Sequence, residues 1–230
     1  MPHEELPFWN VNVPRPLRVP ICPDWLANVS DKDRDIIGTW DADYEDMTWD
    51  EVRGIISENR IDLFRRRPSD LRRYRHFIHL LNKHHGSVMA FILSRRLGWS
   101  DLTPACSVPF TDPTDVKILY NDWPYGVDAR IVHLVVWTKF ALAETEDGDL
   151  TPQAREAVEA YVERAFVERV GRDRVAWFKN WRSLKSVHAV EHFHVMLYEP
   201  EEAFVRSVTG GDVPLCKRVG EGEGVLELLR

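Results

Sequence analysis

No stretch of this 230-residue chain stays apolar for the roughly 18 residues that a membrane-spanning helix needs, so no membrane span is expected. The opening, MPHEELPFWN, carries acids and prolines where a secretory leader needs a basic and then an apolar run. Cysteine is scarce: Cys22, Cys106 and Cys216 are odd in number, far apart, and form no CxxC pair. That pattern excludes a disulfide framework, argues against a thiolate zinc site, and leads us to expect a reducing, cytoplasmic compartment. There is no internal repeat and no low-complexity tract. What is present is enough apolar residue, 44%, for one domain with a proper core.

Positive charge is also in the minority, with a net of −7, which taken whole argues weakly against a nucleic-acid partner. Its distribution is uneven. From Arg60 to His85 the chain holds eight Lys/Arg against two Asp, leaving that segment at +6 and the remainder at −13. A local basic face on an acidic body suits a polyanion. Six arginines in RRRPSDLRRYRHF (Arg65, Arg66, Arg67, Arg72, Arg73 and Arg75) alternate with Tyr74 and Phe77, the mixture that grips phosphates and stacks on bases. The competing reading is a solvated helix face with internal ion pairs.

The chain divides by composition into four parts of a single domain. Residues 1–28 are a proline-rich arm, barred from regular helix or central strand and expected to pack on the body through Phe8, Trp9 and Trp25. Residues 29–100 are helical: Ser30 caps a short helix, Thr48-x-x-Glu51 is a capping box, and Leu71, Tyr74, Ile78 and Leu81 recur at helical spacing after a candidate cap at Ser69. Gly86 interrupts that pattern. Residues 113–200 change character. VKILY and IVHLVVWTKF read as a hairpin across NDWPYGVDA. A helix follows with Thr151 as cap and Pro152 at its first position, then RVAWFKNW and AVEHFHVMLY as two more strands. Residues 201–230 are an acidic, glycine-containing tail with a short apolar end, VLELL. The expected fold class is therefore α+β, with a β-β-α-β-β core preceded by helices.

The chemistry-bearing stretch is SLKSVHAVEHFHVMLYEP. On an extended strand, His188, Val190, His192, His194 and Met196 share one face, and Glu191, Phe193, Val195 and Leu197 the other. Burying three imidazoles without partners costs on the order of 1–3 kcal/mol each, so a cavity or ligand is expected on that face. Ordinary core histidines bonded to backbone are the alternative. His192 and His194 are candidate base and acid. With His133 they are also residue types that a metal takes, but strand spacing identifies no further supported ligand, and neither metal nor cofactor is expected. Lys185 and Asn180 are candidate oxyanion donors, and Ser183 or Ser186 a candidate acyl acceptor. Near the hairpin tip, Asn121, Asp122, Trp123, Tyr125 and Asp128 offer carboxylates among aromatics, a pocket for a cationic side chain, or else plain turn chemistry.

Two resemblances follow from these strings. The β-β-α-β-β order and VEHFHVML resemble the histidine-triad fold. That likeness implies an antiparallel sheet and places His194 at the nucleophile position and His192 at the preceding histidine. Met196 stands where a third histidine belongs, and SLKSV replaces the expected glycine-glutamine. Over nearly the whole chain, ICPDWL, TWDEVRGIISENRIDLFRRRPSDLRRY, GSVMAFIL, LTPQAREAVEAYV and WFKNWRSLKSVHAVEHFHVMLYEP resemble the fungal N-acetylglucosamine-induced protein family, a domain of unknown function. The resemblance implies arginine-containing cyclodipeptide synthases, which take aminoacyl groups from charged tRNAs, arginyl-tRNA included, and close them into cyclo-Arg-Xaa diketopiperazines. An aminoacyl ester is already activated, so no ATP-binding loop is needed, and none is present. The implied roles are tRNA binding by the six arginines, guanidinium binding by Asp122, Asp128 or Glu191, and base catalysis by His194 or His192. No membrane and no obligate protein partner are implied. The alternatives are a histidine-triad-like nucleotide or sugar-nucleotide hydrolase or transferase, and a non-catalytic, sugar-responsive regulatory protein.

Overall fold

The computed structural model describes residues 3–146, 148–181 and 190–218. Four strands form one antiparallel sheet: β1 (Val116–Tyr120), β2 (Ile131–Thr138), β3 (Val175–Phe178) and β4 (Glu191–Tyr198), in the spatial order β1-β2-β4-β3. The long central strands pair from Ile131↔Tyr198 to Thr138↔Glu191. Both are buried along nearly their whole length because both faces of the sheet are covered.

One face is apolar. Leu134, Val136, Phe193, Val195 and Leu197 pack against α6 (Pro152–Val162), its continuation through a π-helical turn at Glu163–Val167, and α7 (Glu168–Val170). Thr151 caps α6 by accepting from the Ala154 N–H, with Pro152 at the first position, as its sequence dictates. Phe166 and Phe193 are fully buried there, each stabilising by about 1.5–3 kcal/mol relative to exposure.

The other face carries the imidazoles, and the N-terminal helices cover it. These are α1 (Asp24–Ala27), α2 (Asp31–Ile37), α3 (Trp49–Ser57), α4 (Pro68–His85) and α5 (Val88–Phe91), the last running into a π-helix at Ile92–Leu97. Ser30 caps α2, and Thr48 with Glu51 forms the full capping box of α3. Ser69 does not cap α4. Pro68 opens that helix, and the Ser69 N–H is instead satisfied by Asp41 Oδ1 at 3.0 Å, a carboxylate from a distant segment that also suits the positive end of the helix dipole. Gly86 ends α4 with φ of 82°, a conformation that excludes most side chains.

The arm is ordered by its own polar groups. The Asn10 amide brackets Val19, donating to its carbonyl at 2.8 Å and accepting from its N–H at 3.1 Å, and Phe8, Trp9 and Trp25 join the cluster around Leu26 and Ile37. Where the expected C-terminal tail is described, up to Arg218, it is ordered. There α8 (Glu202–Thr209) places Val205 in the main core, and α9 (Leu215–Arg218) places Leu215 against Phe77, Leu81, Phe91 and Trp123. At the hairpin tip Gly126 meets Tyr44: a Cβ there would fall 2.7 Å from the ring Cζ, while the Tyr44 hydroxyl donates to the carbonyls of Gly126 and Arg65. That contact fastens the helical region to the hairpin. No helix of the described residues is long and apolar enough to cross a membrane.

Candidate functional site

A cavity of about 620 Å³ lies between the imidazole face of the sheet and the N-terminal helices, within the size range of small-molecule sites. His192, His194, Asn180, Tyr125, Trp123 and Arg66 are among its walls. The strand period delivers the histidines, because β2 and β4 face each other with Trp137 opposite His192, Val135 opposite His194, and His133 opposite Met196.

The rings are joined in one chain of hydrogen bonds. Tyr125 bonds the Asn180 side chain, Asn180 Nδ2 lies 3.1 Å from His194 Nε2, and His194 Nδ1 lies 3.0 Å from His133 Nε2. Asn121 closes the chain: its Oδ1 accepts from the Trp123 N–H at 3.0 Å, which turns its Nδ2 toward His133 at 3.2 Å. With Asn180 donating, a neutral His194 carries its hydrogen on Nδ1 and donates it to His133. Phe178 stacks flat on His194 with centroids 4.8 Å apart. Burial holds His133 down to about 3, helped by the Arg66 charge. It also holds His194 well below the usual imidazole range, helped by His133, His192 and Arg66. Both rings are neutral at physiological pH.

His192 is set differently. Its Nδ1 lies 3.0 Å from the Val190 carbonyl, which fixes the hydrogen there and puts the ring lone pair on Nε2. Trp137 covers one side at 4.5 Å between centroids. Met196, expected at the place of a third triad histidine, is 0% exposed and packs in the apolar cluster of Met47, Trp49, Val52 and Phe64. Among the described residues no three His, Cys, Asp or Glu side chains converge as a metal site.

Several expected roles are redirected. Asp122 lines the cavity but already holds a guanidinium of this chain: Arg96 Nε lies 2.8 Å from its Oδ2, and the Arg96 fork grips Asp212 with two bonds of 2.8 Å. Arg96 and Asp212 side chains are 4% and 5% exposed. Asp128 lies outside the cavity walls, paired with Arg130 at the hairpin, which holds its carboxyl down to about 2. Glu191 also stands apart from the cavity, 3.7 Å from buried Lys179, which pairs with Glu144 as well. Lys185, His188, Ser183 and Ser186 lie outside the described residues.

The open basic face is corrected in part. Arg67 pairs with Asp46, Arg73 with Asp70, and Arg75 with Asp33. Arg72 donates to the Trp9 carbonyl and lies over Trp25. Arg67 and Arg75 join segments of the helical region, Arg72 ties α4 to the arm, and Arg73 also donates to the Cys216 carbonyl at 2.8 Å, uses that the −13 remainder makes possible. Arg65 and Arg66 remain at the cavity.

Sequence reasoning missed Arg96, Asp212 and the central part of His133. A lone histidine in an otherwise apolar strand was the signal for His133. For Arg96, in SRRLGW, the local sequence carries none.

Residues 48–198 match the family model described as Protein of unknown function (DUF3605). N-acetylglucosamine-induced protein 1 of Candida albicans is 28% identical over 186 residues, covering 72% of this chain and 73% of that protein. Uncharacterized protein YPL067C of Saccharomyces cerevisiae is 28% identical over 182 residues, covering 74% of this chain and 88% of that protein. The crystal structure of HTC1 superposes with a TM-score of 0.54 at 25% identity, over 80% of this chain and 93% of that one. The matched region holds the hairpin, the imidazole strand and α3 to α6, and by it this chain belongs to the DUF3605 family of proteins of unknown function.

Proposed function

We propose that the chain is an aminoacyltransferase-type cyclodipeptide synthase, drawing on charged tRNAs with arginyl-tRNA among them and releasing a cyclo-Arg-Xaa diketopiperazine. One observation carries the reading: His192 and His194 line a cavity of about 620 Å³, and His194, kept neutral by burial, is wired to Asn180. Neutral imidazole is what aminolysis of an activated ester needs, because the attacking α-ammonium must first lose a proton.

Each of the two steps balances without a co-reactant. An amine nitrogen attacks an ester carbonyl, a C–N bond forms, the C–O bond to the terminal ribose breaks, and one proton passes from nitrogen to the departing ribose oxygen. The first step makes a dipeptidyl ester and frees one tRNA. In the second step the dipeptide's own amine closes the ring and frees the other. His192 Nε2 is the base in this scheme. The Tyr125 hydroxyl, held by Asn180 at the cavity wall, is the donor to the carbonyl in this scheme, where a preorganised hydrogen bond stabilises the developing oxyanion. Met196 in its dry setting speaks against the triad nucleophile chemistry of the nucleotide reading.

The test is reconstitution. Purified protein is mixed with tRNA charged in turn with arginine and one other amino acid, and diketopiperazines are sought by mass spectrometry. Cyclo-Arg-Xaa that disappears with His192→Ala, while melting remains cooperative, supports the reading. Absence of product across all amino acids from folded protein overturns it.

A further inference from the structure

Of the arginines around the cavity, Arg66 stands out by what surrounds it. Arg75 and Arg96 each meet a carboxylate, and Arg65 is exposed to solvent. Among the described residues no carboxylate pairs with Arg66. Its Nε donates to the Trp123 carbonyl at 2.9 Å, and its guanidinium lies 4.3 Å from the Tyr74 ring centroid and 5.5 Å from that of Tyr125. Those contacts fix the side chain but leave its terminal N–H fork without an acceptor among the described residues. A fork of this kind is matched by phosphate or carboxylate oxygens.

A second donor is left over beside it. Trp123 is 6% exposed, and its indole Nε1, wholly buried, has no hydrogen-bond partner. Native interiors leave few such groups, and each calls for a reason. Tyr74 joins the two features, with its ring under Arg66 and 5.9 Å from the Trp123 ring. A half-buried cation, an orphaned donor and a wall of aromatic faces in one cavity fit an anionic group attached to a flat ring.

We propose that Arg66 is the centre of a phosphate subsite in this cavity, with Trp123 as a neutral donor and Tyr74 and Tyr125 as the faces against which the attached base or sugar rests. The shared chemistry is a phosphate oxyanion. Its source is either the last phosphodiester of a tRNA acceptor end or the phosphate of a free nucleotide, so the inference holds with or without the synthase reading. The Arg66 charge also reaches His133, His194 and Tyr125, which places it close to the imidazoles.

The experiment is calorimetric titration with four probes: adenosine 5′-monophosphate, adenosine, a hairpin RNA ending in CCA, and the same hairpin without CCA. Each is run on wild type, Arg66→Gln, Arg66→Lys, and Arg53→Gln as an exposed control on α3. We expect the monophosphate to bind at least tenfold more tightly than adenosine. Arg66→Gln removes that difference, Arg66→Lys restores part of it as a point charge without the fork, and Arg53→Gln leaves it intact. A CCA-dependent gain for the hairpin assigns the phosphodiester source, and tight monophosphate binding without that gain assigns the free nucleotide. Equal affinity for monophosphate and adenosine, no binding of any phosphate probe, or unchanged binding by folded Arg66→Gln overturns the proposal. None of these readouts measures product, so synthase activity and the subsite succeed or fail separately.

Discussion

His133 on β2 and His194 on β4 share a hydrogen bond of 3.0 Å, set diagonally across the two central strands with both rings buried. Two imidazoles in contact cannot both take a proton, and burial holds His133 down to about 3. The unfolded chain binds a proton at each ring below about pH 6.5, where the folded chain refuses it. The sign follows: stability contributed by this pair is full above about pH 6.5 and is lost as pH falls from there toward 3. The slope is about 1.4 kcal/mol per pH unit for each refused proton. Urea midpoints at pH 7, 6 and 5 should therefore decline in wild type and decline less in His133→Gln. Equal slopes would contradict the assignment.

Replacing His192 or His194 by Ala should lower product formation by about 10²–10⁴-fold, the usual worth of a positioned proton-transfer group. In the proposed reaction, His192→Ala removes the base. His194→Asn keeps one polar contact with Asn180 and should retain more rate than His194→Ala. Single-turnover rates of diketopiperazine release distinguish them.

Met196→His rebuilds the sequence pattern of a full triad but puts an imidazole among Met47, Trp49, Val52 and Phe64. We expect a loss of about 2–4 kcal/mol in chemical denaturation, from lost packing and a polar ring set in an apolar cluster, and no gain of nucleotide hydrolysis. A stable variant that hydrolyses nucleoside phosphoramidates would revive the nucleotide reading.

Arg96→Leu leaves Asp122 without its cation and Asp212 with Arg218 alone. The expected cost is about 3–5 kcal/mol. Asp212→Asn should cost less, since an amide oxygen can still accept from the Tyr120 N–H, which Asp212 satisfies at 3.0 Å. Thermal melts of the two variants rank them.

Gly126→Ala drives a methyl group into the Tyr44 ring. It should destabilise by about 1–3 kcal/mol through overpacking, and Tyr44→Phe, which keeps the ring, should not rescue it. A double variant with Tyr44→Ala should recover part of the loss, as a coupled pair does.

Local signals carried most of the fold. The capping box at Thr48, the Thr151-Pro152 start and the alternation from Glu191 to Tyr198 are each written within a few residues, and each stands where its chemistry puts it. Ser69 was misread because its N–H is satisfied by Asp41, 28 residues earlier, a partner no window around α4 contains. The same holds for the site. A period of two put His192 and His194 on one face, but whether Asp122 faces a substrate or this chain's own Arg96 depends on contacts 26 residues apart. Charge counting found the basic stretch yet not its fate, because the acids that absorb Arg67 and Arg75 lie in the preceding helical segments.

The Arg96 network also bears on how such chains can diverge. Position 96 lies in a π-helix, 122 at the start of the hairpin turn, and 212 after the last long helix, so the three are far apart in the gene. Loss of Arg96 strands Asp122 and leaves Asp212 with Arg218 alone, whereas loss of either acid leaves Arg96 the other. The dependence therefore runs one way along the chain: a relative with a neutral residue at the position of Arg96 should also have given up the carboxylate at the position of Asp122.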